Sequence, residues 1–182
     1  MKNQTIALNL TIRPASDADI VQLPAIERSA ARRFRTVAGL AWLADSEGID
    51  IDAHRQAAAA GGSWVAAVGR VPVGFILAEP QSTALFIREI SVHQAWQGRG
   101  IGRALLAFIA DEARARGCTA LTLTTFRDPS WNAPLYARLG FCELDEAEMT
   151  PALRQKLAEE AAHGLARESR CAMRLMLNRR AD

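Results

Sequence analysis

The sequence predicts an α/β fold: a mixed, twisted sheet of about seven strands with helices on both faces. Three observations carry that expectation. Segments of period-two alternation or β-branched content take turns with segments of 3.6-residue apolar period. Their order along the chain reads β-α-α-α-β-β-β-α-β-α-β-α-β, which needs both parallel and antiparallel neighbours. No repeat, low-complexity tract or linker interrupts the 182 residues, so residues 1–182 are expected to form a single domain.

Ile6 to Arg13 alternates apolar and polar residues as a strand does, and Pro14 ends it. Ser16, followed by Asp17 and Asp19, reads as a helix N-cap with acids in the first turn. That helix should run to about Phe34, with Pro24 marking a kink or a restart. A short helix around Leu40–Ala44 carries Trp42, and a third runs from Asp52 to Ala60 and stops at Gly61-Gly62. Strands are expected at Ser63–Gly69 and Val71–Glu79, joined by a tight turn, and at Ala84–Val92. From Ile101 the apolar residues Leu105, Phe108 and Ile109 take helical spacing up to Gly117, a left-handed cap. Then come a strand at Ala120–Thr124, a short helix at Trp131–Leu139 and a strand at Phe141–Leu144. A helix from Thr150 to about His163 and a closing strand at Ser169–Leu177 complete the order, and Asn178–Asp182 reads as a frayed tail.

Composition narrows the function. Hydrophobic residues make up 49% of the chain, enough for a core, and the net charge of +2 argues against nucleic acid or an anionic membrane as main partner. No apolar run approaches the ~18 residues of a membrane span. The first residues lack a signal peptide's apolar centre, which points to the cytoplasm. Cys118, Cys142 and Cys171 are widely spaced and odd in number, as expected of reduced, buried thiols. His54, His93 and His163 share no ligand spacing with them, so no metal is expected.

The most informative stretch is Arg88 to Arg103, a strand and turn followed by Gln97-Gly98-Arg99-Gly100-Ile101-Gly102-Arg103 at the start of a helix. Alternating glycines let backbone pass close to a bulky anion, and the helix aims free N–H groups at it. A Walker A loop is excluded, because no Gly-Lys-Ser/Thr follows. A Gly-x-Gly-x-x-Gly fingerprint fails in both registers, which would need glycine at Arg103 or at Leu105.

Gln97-Gly98-Arg99-Gly100-Ile101-Gly102 fits a Gln/Arg-x-x-Gly-x-Gly/Ala pattern and resembles the acetyl-CoA loop of the GCN5-related N-acetyltransferase (GNAT) superfamily. Trp131 to Phe141, with Asn132, Tyr136 and Gly140-Phe141 in order, is similar to that family's second signature. The resemblance covers roughly residues 5–145 well, and the helix and closing strand of 150–178 loosely. It implies a GNAT-like sheet splayed open near the fourth strand to admit coenzyme A. By the same resemblance, Gln97, Gly98, Arg99, Gly100, Ile101, Gly102 and Arg103 wrap the diphosphate. Ile90, Ser91 and Val92 lie along the pantetheine arm, Asn132 hydrogen-bonds it, and Tyr136 protonates the leaving thiolate.

The residues themselves leave alternatives beside each role. An amine of pKa near 10 is neutral in only ~1 molecule in 10³ at pH 7, so acyl transfer needs a proton acceptor. Glu89, on the strand face opposite Ile90 and Val92, is the candidate; the alternative is a cross-strand ion pair. By the resemblance, the Val92 N–H would steady an oxyanion. Ser91 has no evident His and Asp partners and reads as a strand residue rather than a nucleophile. Tyr136 could instead be core, Asn132 a helix cap, and Arg99 and Arg103 solvated charges. By the resemblance, in which the helices after the first strand form the acceptor side, Phe34 and Trp42 are the candidate acceptor wall.

The expected activity is acetyl-CoA-dependent N-acetyl transfer to a primary amine in a ternary complex, with a small-molecule acceptor favoured over a protein. An acyl-CoA sensor without catalysis and an acyltransferase of other specificity are the alternatives. Dimers are common in the resembling family, and a homodimer is kept as an option.

Overall fold

The computed structural model describes residues 9–178. Ile6–Leu8 of the first expected strand and residues 179–182 of the expected tail lie outside them. Seven strands form one mixed sheet in the order β1-β2-β3-β4-β5-β7-β6. They are β1 Leu10–Pro14, β2 Ser63–Val68, β3 Val71–Gln81, β4 Ala84–Val92, β5 Ala120–Phe126, β6 Cys142–Glu143 and β7 Arg170–Met176. The α-helices are α1 Asp17–Ile20, α2 Leu23–Ala31, α3 Ile51–Ala59, α4 Ile101–Ala115, α5 Ala133–Arg138 and α6 Pro151–Ala162. Contacts divide the chain into two compact units. The first takes the chain up to Leu77 together with Glu89–Phe108; the second takes Ala78–Arg88 and the chain from Ile109 onward.

In the first unit β1 and β2 pair antiparallel from Leu10↔Val68 to Pro14↔Trp64, and β2 pairs antiparallel with β3. Successive strand residues face opposite ways. Val65 therefore packs with Phe75, Leu77 and the Ile20, Leu23 and Ile26 side chains of α1 and α2. Trp64 turns the other way and meets Phe108 of α4 edge-on, 6.1 Å between centroids. Pro24 restarts the helix rather than kinking it, falling in the first turn of α2 after a break at Val21-Gln22. The expected end of that helix, through Phe34, is instead a 3₁₀ turn at Arg32–Thr36, and Trp42 lies in a second one at Ala41–Asp45. Gly74 of β3 allows a close crossing: a Cβ there would stand 3.0 Å from the Ser91 carbonyl oxygen.

In the second unit β4 and β5 run parallel, paired at Ala84↔Ala120, Leu85↔Leu121 and Phe86↔Thr122. Beyond Phe86, β4 continues to Val92 with no further β5 partner among the described residues. The last strand in sequence is not an edge. β7 pairs antiparallel with all of β5 and, on its other side, with the two-residue β6. Thr150 caps α6 by accepting from the Leu153 N–H, and Pro151 takes its first turn, where a missing donor costs nothing. Leu153 and Leu157 bury against Phe86, Leu144, Met149 and Ala172. Cys171 is buried, and burial, then the Glu143 charge, pushes its thiol up to about 11. Against the expectation of buried thiols, Cys118 is only half-buried and Cys142 is exposed on the edge strand.

The junction from β1 into α1 depends on one carboxylate. Asp19 accepts from Arg13 Nη1 at 2.5 Å, from the Ser16 backbone N–H at 2.8 Å and from the Ser16 hydroxyl at 2.7 Å. The Ser16 hydroxyl in turn accepts from the Asp19 N–H at 3.3 Å, closing a capping box. The Arg13 hydrogen bond, opposed by burial and helped by Ser16, holds the Asp19 carboxyl at about 2. A depressed carboxylate pKa stabilises the fold above its unfolded value near 4, and that contribution disappears as pH falls towards 2. Discounted for the 39% exposed Arg13 side chain, it amounts to about 1–2 kcal/mol. Asp19→Asn should therefore lower unfolding free energy by about that much at pH 7, with the gap to the parent closing between pH ~4 and ~2 in urea melts. A gap that persists at pH 2 would show that the side chain acts through packing instead.

Candidate functional site

In the first unit, β4 leads through a 3₁₀ turn at Gln94–Trp96 into the glycine loop and α4. Gly98 and Gly100 have φ of +74° and +83°, the left-handed region that other residues enter at a cost of roughly 1–2 kcal/mol. A Cβ at either would meet no atom within 4 Å, so conformation and not crowding selects glycine, and the space beside the loop is open. The first N–H groups of α4 have no intrahelical acceptor by construction. No acid stands in its first turn, although helices favour acids there. The charges present are Arg99 and Arg103, both exposed and without an ion pair among the described residues. Arg99 rests on Trp96, its guanidinium carbon 4.9 Å from the ring centroid. A loop of this shape and sign is suited to a diphosphate.

The loop is anchored from behind. Gln97 Nε2 donates to the Val92 carbonyl at 2.9 Å, and the His93 N–H donates to the Val73 carbonyl at 2.8 Å. The Gln94 N–H donates to the hydroxyl of Ser29, a buried residue of α2, at 3.0 Å. Sequence reasoning missed Ser29, since nothing in a helical Arg-Ser-Ala-Ala run marks a partner 65 positions away.

The other residues singled out from the sequence fall as follows. Glu89 is half-buried and accepts from the Ser91 hydroxyl at 2.9 Å; Ser91 is itself buried. Ile90 and Val92 are half-buried on the alternate face of β4, next to the stretch that β5 leaves unpaired. Ile101 is fully buried at the start of α4, and Gly102 follows it in the same turn. Phe34 is half-buried, whereas Trp42 is 48% exposed, and the two 3₁₀ turns that carry them are joined by an Arg35–Asp45 ion pair at 2.8 Å.

In the second unit, Tyr136 is buried on α5 and meets Phe141 edge-on at 5.6 Å. Asn132 precedes α5 but its side chain does not cap that helix, and its buried Oδ1 accepts no hydrogen bond among the described residues. A buried amide oxygen left without a donor costs about 1–3 kcal/mol, which a ligand N–H can recover. Among the described residues no group of His, Cys, Asp and Glu could hold a metal ion, and no helix is long and apolar enough to cross a membrane.

Comparison with known proteins decides the family. The model of the acetyltransferase (GNAT) family matches residues 24–141, which include the glycine loop, Glu89, Asn132 and Tyr136. The chain belongs to the GNAT acetyltransferase family. The streptothricin acetyltransferase of Streptomyces lavendulae is 41% identical over 85 residues, 44% of this chain. The match spans only 41% of that relative's length. The PaiA N-acetyltransferase of Thermoplasma acidophilum, solved with coenzyme A, superposes with a TM-score of 0.70 at 14% identity over 92% of this chain and 98% of its own. The N-acetylglutamate synthase of Neisseria gonorrhoeae, solved with coenzyme A and N-acetylglutamate, gives a TM-score of 0.70 at 19% identity over 93% of this chain and 35% of its own. These likenesses establish the GNAT fold.

The Ser29 anchor makes a structural prediction. Ser29→Ala removes the acceptor of the Gln94 N–H and should cost about 1 kcal/mol in chemical denaturation, with Ser29→Thr recovering most of it. Equal stability of the alanine and threonine variants would remove the anchoring role.

Proposed function

We propose that this chain is an acetyl-CoA-dependent N-acetyltransferase acting on a small amine. The observation that carries the reading is the left-handed Gly98/Gly100 loop at the start of α4, where two arginines stand in place of the usual acids. Asn132 Oδ1, buried and without a donor, adds a polar atom suited to an N–H of the pantetheine arm. The residues present therefore fit coenzyme A: loop N–H groups, Arg99 and Arg103 for the diphosphate, and the bare edge of β4 from Ile90 to Val92 for the arm.

Acetyl-CoA, when bound, supplies a thioester carbon open to attack and a thiolate that can leave. Glu89, oriented by the Ser91 hydroxyl, takes the proton that an ammonium must lose before it can attack, directly or through one water. The Val92 N–H donates to the oxygen that gains charge during attack. Tyr136 gives its hydroxyl proton to the departing sulfur, a reasonable match between a phenol near 10 and a thiol near 8.5. One N–C bond replaces one S–C bond, and no acyl-enzyme forms. Phe34 and Trp42 make the acceptor wall. Two of the similar proteins are named for streptothricin and for N-acetylglutamate, which supports an acceptor that is not a protein.

Two measurements test this. Calorimetric titration should show acetyl-CoA binding that weakens by about tenfold in Gly100→Ala, whose backbone is strained at a φ of +83°; no heat from the parent protein would end the reading. Tyr136→Phe should lower kcat by about a hundredfold in an assay of free thiol release, while acetyl-CoA affinity stays within about twofold. Unchanged turnover with collapsed affinity would make Tyr136 a binding residue and not the acid.

A further inference from the structure

The second unit holds a groove that none of these roles uses. Its volume is about 340 Å³, and it is lined by Glu79 and Gln81 of β3, Arg88 of β4, and Ala152, Gln155, Lys156 and Glu159 of α6. That volume lies within the range of small-molecule sites. Its walls are regular elements rather than loops. Residues 152, 155, 156 and 159 recur at i, i+3, i+4 and i+7, one face of a helix, and residues 79 and 81 recur at the strand period. The neighbouring face of α6 is fixed to the sheet. Leu153 and Leu157 are buried there, and Glu160 accepts from Arg170 at 3.1 Å and from Thr124 at 2.6 Å, with the ion-paired side chains only 10% and 11% exposed.

Four charges face this groove, two of each sign. Arg88, Lys156 and Glu79 make no hydrogen bond or ion pair among the described residues, and Glu159 accepts only from Gln155 on its own helix, at 2.9 Å. Opposite charges that share a groove without pairing suit a ligand that carries both signs. A plain polyamine would meet the two cations, and a plain dicarboxylate the two acids. A dipolar molecule satisfies all four.

We propose that this groove binds a zwitterionic amine, an amino acid or its close analogue, with its carboxylate between Arg88 and Lys156 and its ammonium facing Glu79 and Glu159. The inference goes beyond the N-acetyltransferase reading and does not depend on it. Arg88 and Glu89 are successive residues of β4, so their side chains face opposite ways, and Arg88 points away from the candidate base.

Lysine, lysinamide and 1,5-diaminopentane offer a test, because each presents a primary amine and only lysine has a carboxylate. Titration of each into the full-length protein, followed by NMR, should show lysine binding at least about tenfold more tightly than the other two. Arg88→Gln and Lys156→Gln should each erase most of that preference, with unfolding midpoints confirming that both variants fold. Equal affinity for the three amines, no binding of lysine, or a preference unchanged in both variants would each overturn the proposal. Acetyl-CoA binding measured in parallel separates the failures. If acetyl-CoA binds but lysine is not preferred over lysinamide, only the groove assignment falls; if acetyl-CoA does not bind, the acetyltransferase reading falls and the groove is judged on the amine titrations alone.

Discussion

Helix α4 starts against its own electrostatics. Its dipole presents positive charge at the N-terminus, the peptide units there offer donors, and the side chains on either side of the opening turn are arginines. Two left-handed glycines add backbone entropy to what folding must overcome. Such a start is stable only because the rest of the unit holds it. Gly74 lets β3 lie against the Ser91 carbonyl, Ile101 is fully buried, and Gln97, His93 and Ser29 each tie the approach to the loop by a hydrogen bond. The placement of Trp96 under Arg99 serves the same end, since an aromatic face stabilises a cation that the helix dipole repels. The unit thus keeps a concentration of positive potential in place, and an anion is what that potential is suited to.

Much of this was legible along the chain. β4 falls at Ala84–Val92 as alternation and the flanking turns predicted, and α4 and α6 begin where glycine, threonine and proline mark their starts. These are local signals, set within one turn or one strand. What could not be read is non-local. The placement of β7 between β5 and β6 is decided by pairing across half the second unit, and its residues look the same whether they sit inside a sheet or close it. The 3₁₀ turns at 32–36 and 41–45 have helix-forming composition, and only tertiary packing tightens them. At the site, the glycine motif announced itself, whereas the Ser91–Glu89 and Ser29–Gln94 bonds did not, because serine in a strand or a helix is ordinarily unremarkable. Asn132 lies between two readings in the sequence, and its side chain makes no cap hydrogen bond to the helix it precedes.

Helix α6 shows how one amphipathic element can serve two faces. Its sheet-facing side spends its apolar residues on Leu153 and Leu157, and its one inward charge, Glu160, is matched by Arg170 and Thr124. Arg170 also lies over Phe126, 4.4 Å from the ring centroid, so the cation is neutralised on one side and covered on the other. A nearly buried ion pair adds little net stability over an apolar equivalent, because desolvation consumes most of its attraction. What it adds is definition, since a one-residue slip of α6 would leave both charges buried and unpaired. The same rotation of the helix that seats Glu160 against β5 and β7 turns Lys156 and Glu159 towards Arg88 and Glu79. Fixing the buried face therefore fixes the spacing of charges on the groove face. A groove held this way presents its four charges from fixed backbone positions on α6, β3 and β4, and a ligand that matches that arrangement is the one it favours.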